Sequence, residues 1–340
     1  MKKKQMLMTL WLLFTLAAVS PGALAAEAGD MLVPVGRVVG IQLDCDGVMV
    51  SGLAEVSTPE GAASPAAEAG ILPGDRIVGL NGTAVHSGED FLARVRGLTG
   101  EPVELRTVRD GETLDLTVTP RKGSENTWQL GLWLRSGVHG LGTVTFWDPA
   151  TGRFGALGHG VGVSRGEELM PISSGVITAA EVESVTAGLR GEPGALHGQP
   201  EPDEVLGAVE ENSPRGIFGL ADAALGPREA LPVAEDRDIR LGPVTILSTV
   251  GPEGPREYAA EITRIARDGS DARQLTLTVT DPALLEITGG IVQGMSGSPI
   301  LQNGKLVGAV THVLVSDPSK GYGISMENML RAGSALATAA

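Results

Sequence analysis

The sequence predicts a mainly β chain in two folded units, a small α+β domain over residues 34–121 and then an all-β barrel domain over residues 128–340. Two observations predict this. The 48 glycines and 21 prolines in 340 residues supply turn residues at the short intervals that many short strands need. After Trp128 no long stretch keeps the period of a helix, whereas short apolar runs recur between turn signals. Residues 1–26 stand apart from both units.

That N-terminal stretch has the parts of an export signal. Lys2-Lys3-Lys4 precedes an apolar run from Met6 to Val19, and Pro21-Gly22 and Ala23-Leu24-Ala25-Ala26 follow. A basic start, a short apolar middle and small residues at the end describe a secretory signal peptide. An N-terminal membrane anchor is the alternative, although a spanning helix needs about 20 apolar residues. Either reading makes the protein exported, with its working part extracytoplasmic. Hydrophobic residues make up 42% of the chain, enough for a real core, and the net charge is −15. Phosphate binding needs a basic surface, so nucleic acid is excluded as an expected partner. Cys45 is the single cysteine, which excludes an internal disulfide.

In the first unit, Val35 to Leu43 reads as one strand and Gly47 to Val50 as a second. A helix from Pro65 ends at Gly70, where glycine suits the left-handed cap. Pro73-Gly74-Asp75 turns the chain into the strand Arg76 to Leu80, and Asn81-Gly82 is a tight hairpin turn. Ser87 caps a helix whose Phe91, Leu92 and Val95 recur at helical spacing. The strands Val103 to Val108 and Leu114 to Val118 flank a turn at Asp110-Gly111. Leu72-Pro73-Gly74-Asp75-Arg76-Ile77 followed by Leu80-Asn81-Gly82 resembles the signature of a PDZ domain. That resemblance implies a groove, beside the helix that carries Leu92, which captures an extended peptide by strand addition. Gly40 and Ile41 are the candidates for the loop that receives the peptide's carboxylate. Cys45 lies between Asp44 and Asp46, whose charges oppose a thiolate, so a catalytic role is not expected.

In the second unit, short strands alternate with turns such as Asp148-Pro149-Ala150-Thr151-Gly152 and Asp268-Gly269-Ser270. The segment from Gly188 to Pro202 reads as a surface loop, and Met326 to Ala337 as a short helix. Near the end stands Gly294-Met295-Ser296-Gly297-Ser298-Pro299, then an apolar strand, a turn at Asn303-Gly304 and a second apolar strand through His312. Trypsin-like β-barrel proteases present a nucleophile in this way. Glycines on both sides let the backbone bend sharply around Ser296. The N–H groups of Gly294 and Ser296 can then converge as an oxyanion hole.

His159, between Gly158 and Gly160 at the end of an apolar strand, suits a general base for that hydroxyl. His312 reads as a pocket wall or core residue. A carboxylate that orients the base completes a triad, and Asp281, at a strand-to-loop junction before Pro282, is the candidate. Glu286, Asp317 and Asp148 are its rivals. No metal or nucleotide site is expected. The chain has no His-Glu-x-x-His, no cysteine cluster and no phosphate-binding glycine loop, and no cofactor is implied.

Taken in order, the PDZ signature, Gly155-Ala156-Leu157-Gly158-His159-Gly160, Gly289-Gly290-Ile291-Val292-Gln293-Gly294-Met295-Ser296-Gly297-Ser298-Pro299-Ile300 and Gly308-Ala309-Val310-Thr311-His312-Val313 resemble the stage IV sporulation protein B family. These are serine peptidases of endospore-forming bacteria. The resemblance implies a catalytic His159, Asp281 and Ser296. It also implies a protein substrate, the extracytoplasmic part of a membrane-bound sporulation regulator, whose cleavage leads to processing of a sigma-factor precursor. It further implies self-cleavage, membrane association and a location between the two forespore membranes. Two rivals stand beside it: a non-catalytic PDZ scaffold, and a general extracytoplasmic quality-control serine protease. The latter class carries its protease before its PDZ domains.

Overall fold

A computed structural model describes residues 31–59, 61–162, 169–223, 225–267 and 272–333. The expected export segment at 1–26 and the expected turn at Asp268-Gly269-Ser270 lie outside the described residues, as does the chain beyond 333.

The chain opens with strands β1 (Met31–Pro34) and the long β2 (Val38–Leu53), then a small hairpin, β3 (Val56–Thr58) and β4 (Gly61–Ala63). Helix α1 (Pro65–Glu68) follows, then β5 (Arg76–Leu80), β6 (Thr83–Ala84), helix α2 (Gly88–Val95), β7 (Val103–Arg109) and β8 (Glu112–Val118). A second small hairpin, β9 (Arg121–Lys122) and β10 (Trp128–Gln129), leads into β11 (Leu132–Trp147). Next come β12 (Arg153–Ala156), β13 (Ser174–Thr186), β14 (Ala195–Ser213), β15 (Gly216–Leu220) and β16 (Leu231–Pro232). The last third holds β17 (Gly242–Ser248), β18 (Arg256–Ile265), β19 (Leu275–Val279), helix α3 (Pro282–Thr288), β20 (Pro299–Gln302), β21 (Lys305–Val313), β22 (Lys320–Ser325) and helix α4 (Met326–Gly333). The mainly β expectation holds.

Two rings of antiparallel strands form the larger part of the described chain. Pairing runs β2–β11–β12–β15–β14–β13 and returns to β2, which closes the first ring. The second is a closed barrel, β17–β18–β19–β22–β21–β20. Val39, Ile41 and Leu43 of β2 pack inside the first ring with Val144, Phe154 and Ile177. Ile246, Leu277, Ile300 and Val310 fill the second. Helix α4 sets Met326 and Met329 against Phe146 and Phe218 of the first ring and Ile324 of the second.

The small α+β unit is inserted into the first ring rather than placed before it. Strand β2 starts in the ring, with Val39–Asp44 between β11 and β13. It ends in the small unit, where Val48 and Met49 pair with β5. Strand β11 returns the chain by the same route, pairing Leu132–Arg135 with Met49–Leu53 and Gly137–Thr143 with Val38–Asp44. The crossing point is a close one. A side chain on Gly137 would meet the Leu43 carbonyl at 2.1 Å, and Gly47 relieves the bulged partner strand at a φ of +103°. The strand expected over Val35 to Leu43 as part of the first unit therefore belongs to the barrel. Its run of apolar residues is buried, as a strand with partners on both edges and covered faces requires.

That placement overturns the role expected for Gly40 and Ile41. Gly40 pairs with Leu141 on one edge and Thr178 on the other, and Ile41 with Gly140 and Ile177. Both residues thus lie inside a strand paired on both sides, not in the loop expected to receive a peptide's carboxylate. The expected surface loop at Gly188 to Pro202 also differs, since much of it is the start of β14. Gly198 allows this, because a side chain there would lie 1.9 Å from the Glu181 carbonyl of β13.

Local chemistry explains the small unit. The Ser87 hydroxyl accepts the Asp90 N–H and caps α2, while Phe91 packs into a core with Ile71, Ile77 and Leu105. Asp75, buried at 1% exposure, is held by a two-pronged Arg109 contact at 2.6 and 2.7 Å. Among the described residues no helix is long and apolar enough to cross a membrane.

Candidate active site

The loop after α3 carries Ser296. Asp281 is the N-cap of α3, and the helix ends at Gly289 in the left-handed region. The loop then crosses to the first ring, where Thr143 of β11 clamps it. The Thr143 hydroxyl donates to the Gly294 carbonyl at 2.8 Å, and its N–H donates to the Ser296 carbonyl at 3.0 Å. Gly297 makes the approach possible, because a side chain there would lie 2.0 Å from the Thr143 carbonyl. The N–H groups of Gly294 and Ser296 donate to no described group. Two polar donors are thus left open in the same turn.

His159 arrives from the first ring at the end of β12. Leu157 and Gly158 both take φ of +69°, which swings the imidazole out of the strand. Its Nδ1 lies 2.9 Å from the Gly160 carbonyl. A carbonyl can only accept, so Nδ1 carries the proton and Nε2 keeps its lone pair. Burial pushes the imidazole below its usual value, and the Gly160 carbonyl opposes this in part. The ring lies tilted against that of His312, with centroids 4.8 Å apart.

His159 and Ser296 line two cavities together. One, of about 590 Å³, also takes in Thr311 to Ser316 and Tyr322. The other, of about 260 Å³, includes Val138, Gly140 and Leu141 of β11 together with Gly294. The Ser296 hydroxyl itself donates to the Thr311 carbonyl at 2.6 Å. Ser298 lies away from the cleft, fully buried and bonded to the Ser248 hydroxyl at 2.9 Å.

The structure does not bring Asp281 to the imidazole. One carboxylate oxygen accepts the N–H groups of Ala283 and Leu284, and the other accepts that of Ala259. Burial alone would raise its pKa, but those three bonds hold it below the usual carboxylate range. The rivals are engaged elsewhere. Asp317 bonds Ser319 and Lys320, Asp148 closes its own turn through Ala150 and Thr151, and Glu286 is exposed on α3. Cys45 is buried, and its thiol is pushed up chiefly by that burial; Asp44 and Asp46 add smaller effects. Leu92, half exposed, lines a third cavity of about 350 Å³ with Val95 and Trp128 to Leu134. Among the described residues no cluster of three or more His, Cys, Asp or Glu could hold a metal.

Sequence reasoning missed Thr143, Gly160 and Thr311. Thr143 and Thr311 act through a hydroxyl or backbone atoms that carry no motif. Gly160 was visible as a neighbour of His159, but its carbonyl gave no signal.

The family model described as SpoIVB peptidase S55 matches residues 126–330, and a PDZ domain model matches residues 56–109. Among curated proteins the similarity is short. A protein of Agrobacterium fabrum described as a zinc metalloprotease is 38% identical over 91 residues, 27% of this chain and 23% of its own length. The zinc metalloprotease RasP of Geobacillus kaustophilus is 32% identical over 75 residues, 22% of this chain and 17% of its own. The chain thus spans about a fifth of the length of these relatives. The first match covers more than half of the chain and includes both His159 and Ser296. The chain belongs to the SpoIVB peptidase S55 family and carries a PDZ domain.

Proposed function

We propose that the protein is an exported signalling endopeptidase in which Ser296 attacks a peptide carbonyl and His159 takes its proton. The observation that carries this reading is the meeting of His159 and Ser296 in two shared cavities. With Nδ1 protonated toward Gly160, Nε2 is the free base that a serine hydroxyl needs. The hydroxyl must leave the Thr311 carbonyl as substrate enters, and hydrogen bonds of this kind commonly tighten only in the complex. The N–H groups of Gly294 and Ser296 stabilise the oxyanion. The Gly160 carbonyl fixes the tautomer that a triad carboxylate would otherwise fix.

The family supports a more specific role. Its members act in sporulation, so the substrate is the extracytoplasmic part of a membrane-bound regulator, together with the protein itself. A general quality-control protease is disfavoured by the order of the parts, since here the PDZ unit interrupts the first ring. Labelling with a serine-directed fluorophosphonate tests the chemistry, because a PDZ scaffold would not react. Incubation with membranes of a sporulating host, read by mass spectrometry, tests the role. A membrane-protein fragment released by wild type and not by Ser296→Ala supports it, and identical fragment sets overturn it.

A pH profile follows from the site. The imidazole works in its neutral form, and burial lowers its pKa. Activity is therefore full above the depressed value and falls as pH drops through it. The acid limb of kcat/KM should have its midpoint below the usual imidazole value of ~6.5. A midpoint at or above that value would show that substrate entry restores solvation or that another group is the base.

A further inference from the structure

Among the described elements, strand β11 is the one that lines both the groove beside α2 and the cleft with His159 and Ser296. Its Leu132, Trp133 and Leu134 line the cavity beside α2, with Leu92 and Val95. Its Val138, Gly140 and Leu141 line the cavity that contains His159 and Ser296. One edge of β11 pairs with β2 along this whole length. The other edge gains a partner, β12, only from Val144 onward. No described strand pairs with that second edge at Leu132–Leu134 or Val138–Gly142. It is an open strand edge, and its unpaired N–H and C=O groups are a template for an added strand.

We infer that a substrate chain adds antiparallel along this edge, so that the segment C-terminal to the cut runs from the cleft into the groove beside α2. This rests on the peptidase reading above. The occupant is an extended, apolar stretch of the same polypeptide that Ser296 cuts. Three features argue for it. The open edge ends where Thr143 clamps the Ser296 loop, so edge and nucleophile are in fixed relation. Direction follows from pairing: β11 runs from groove to cleft, so an antiparallel partner runs from cleft to groove. Composition fits too, because the groove wall is Leu92, Val95, Leu132, Leu134 and two tryptophans, which offer apolar pockets to alternate side chains of an added strand.

The consequence is a fixed spacing. Leu141 and Leu132 are nine residue steps apart on one strand, about 30 Å at ~3.3 Å per residue. The groove therefore holds residues roughly nine or more positions after the scissile bond. The sequence placed the carboxylate-receiving loop at Gly40 and Ile41, which are paired on both edges, whereas the open edge of β11 is directly continuous with the site.

Randomised synthetic peptides of about twenty-four residues test this, with cut positions read by mass spectrometry at low conversion. Cuts leaving about nine or more residues on the C-terminal side should exceed closer cuts by tenfold or more, a preference of about 1.4 kcal/mol. In Leu92→Asp, and independently in Trp133→Asp, that step should vanish. Both side chains are largely exposed, at 51% and 65%, so the substitutions spare the core. An even distribution of cuts in the wild type overturns the inference, as does a step that persists in both variants. Absence of any cut, with no fluorophosphonate labelling, sinks the peptidase reading itself and this inference with it.

Discussion

Ser296→Ala should reduce peptide cleavage by about a millionfold, the usual loss when a serine nucleophile is removed. Ser298→Ala should keep cleavage within about tenfold and lose stability instead. The two serines stand two residues apart, yet the fold gives them opposite surroundings. Ser296 faces both cavities with His159. Ser298 is fully buried, bonded to Ser248 of β17. Truncating it leaves the Ser248 hydroxyl without that partner in the second barrel, a penalty of about 1–3 kcal/mol. Initial rates on a quenched peptide, beside thermal melts of each variant, separate the two effects. An active Ser296→Ala protein alongside a folded but inactive Ser298→Ala protein would reverse the assignment.

The turns were legible because their chemistry is local. Asn81-Gly82, Asp110-Gly111 and Asn303-Gly304 each show two consecutive positive φ values, as two-residue hairpin turns demand. The Ser87 cap and the glycine at position 70 are equally local. The turn around Ser296 was readable because a sharp bend and the close approach of backbones require Gly297. What was not legible was long-range. Whether Val38–Leu43 pairs within the small unit or with β11 and β13 depends on partners about a hundred residues away. Both outcomes bury the same apolar residues, so composition cannot choose between them. Gly188 to Pro202 misled for a related reason. Its glycines and prolines read as loop punctuation, while in β14 Gly198 serves close strand packing against β13. Asp281 before Pro282 is a further case. An aspartate ahead of proline at a helix start is a capping pattern, and that pattern coincides with the position where the family resemblance puts a catalytic acid.

His159→Ala and Asp281→Asn should part company for that reason. Loss of the base should cost on the order of a millionfold, comparable with loss of the nucleophile. A triad acid would cost about ten-thousandfold when changed to asparagine, because the imidazole takes the wrong tautomer. Here the tautomer is held by the Gly160 carbonyl, 2.9 Å from Nδ1, and Asp281 spends both oxygens on backbone N–H groups of Ala259, Ala283 and Leu284. Asparagine is as good a helix cap as aspartate, its one oxygen keeping the Ala283 and Leu284 N–H groups while only the Ala259 N–H loses its acceptor. Asp281→Asn should therefore keep activity within about tenfold, and Asp281→Ala should lose about 1 kcal/mol of stability through the uncapped helix. Loss of cap also loosens α3, the element that feeds the nucleophile loop, so Asp281→Ala should show a lower melting temperature together with a raised KM. Measuring kcat, KM and the melting temperature for all three variants decides the matter. A ten-thousandfold fall in kcat for a fully stable Asp281→Asn protein would mean that α3 releases this carboxylate to the imidazole when substrate binds.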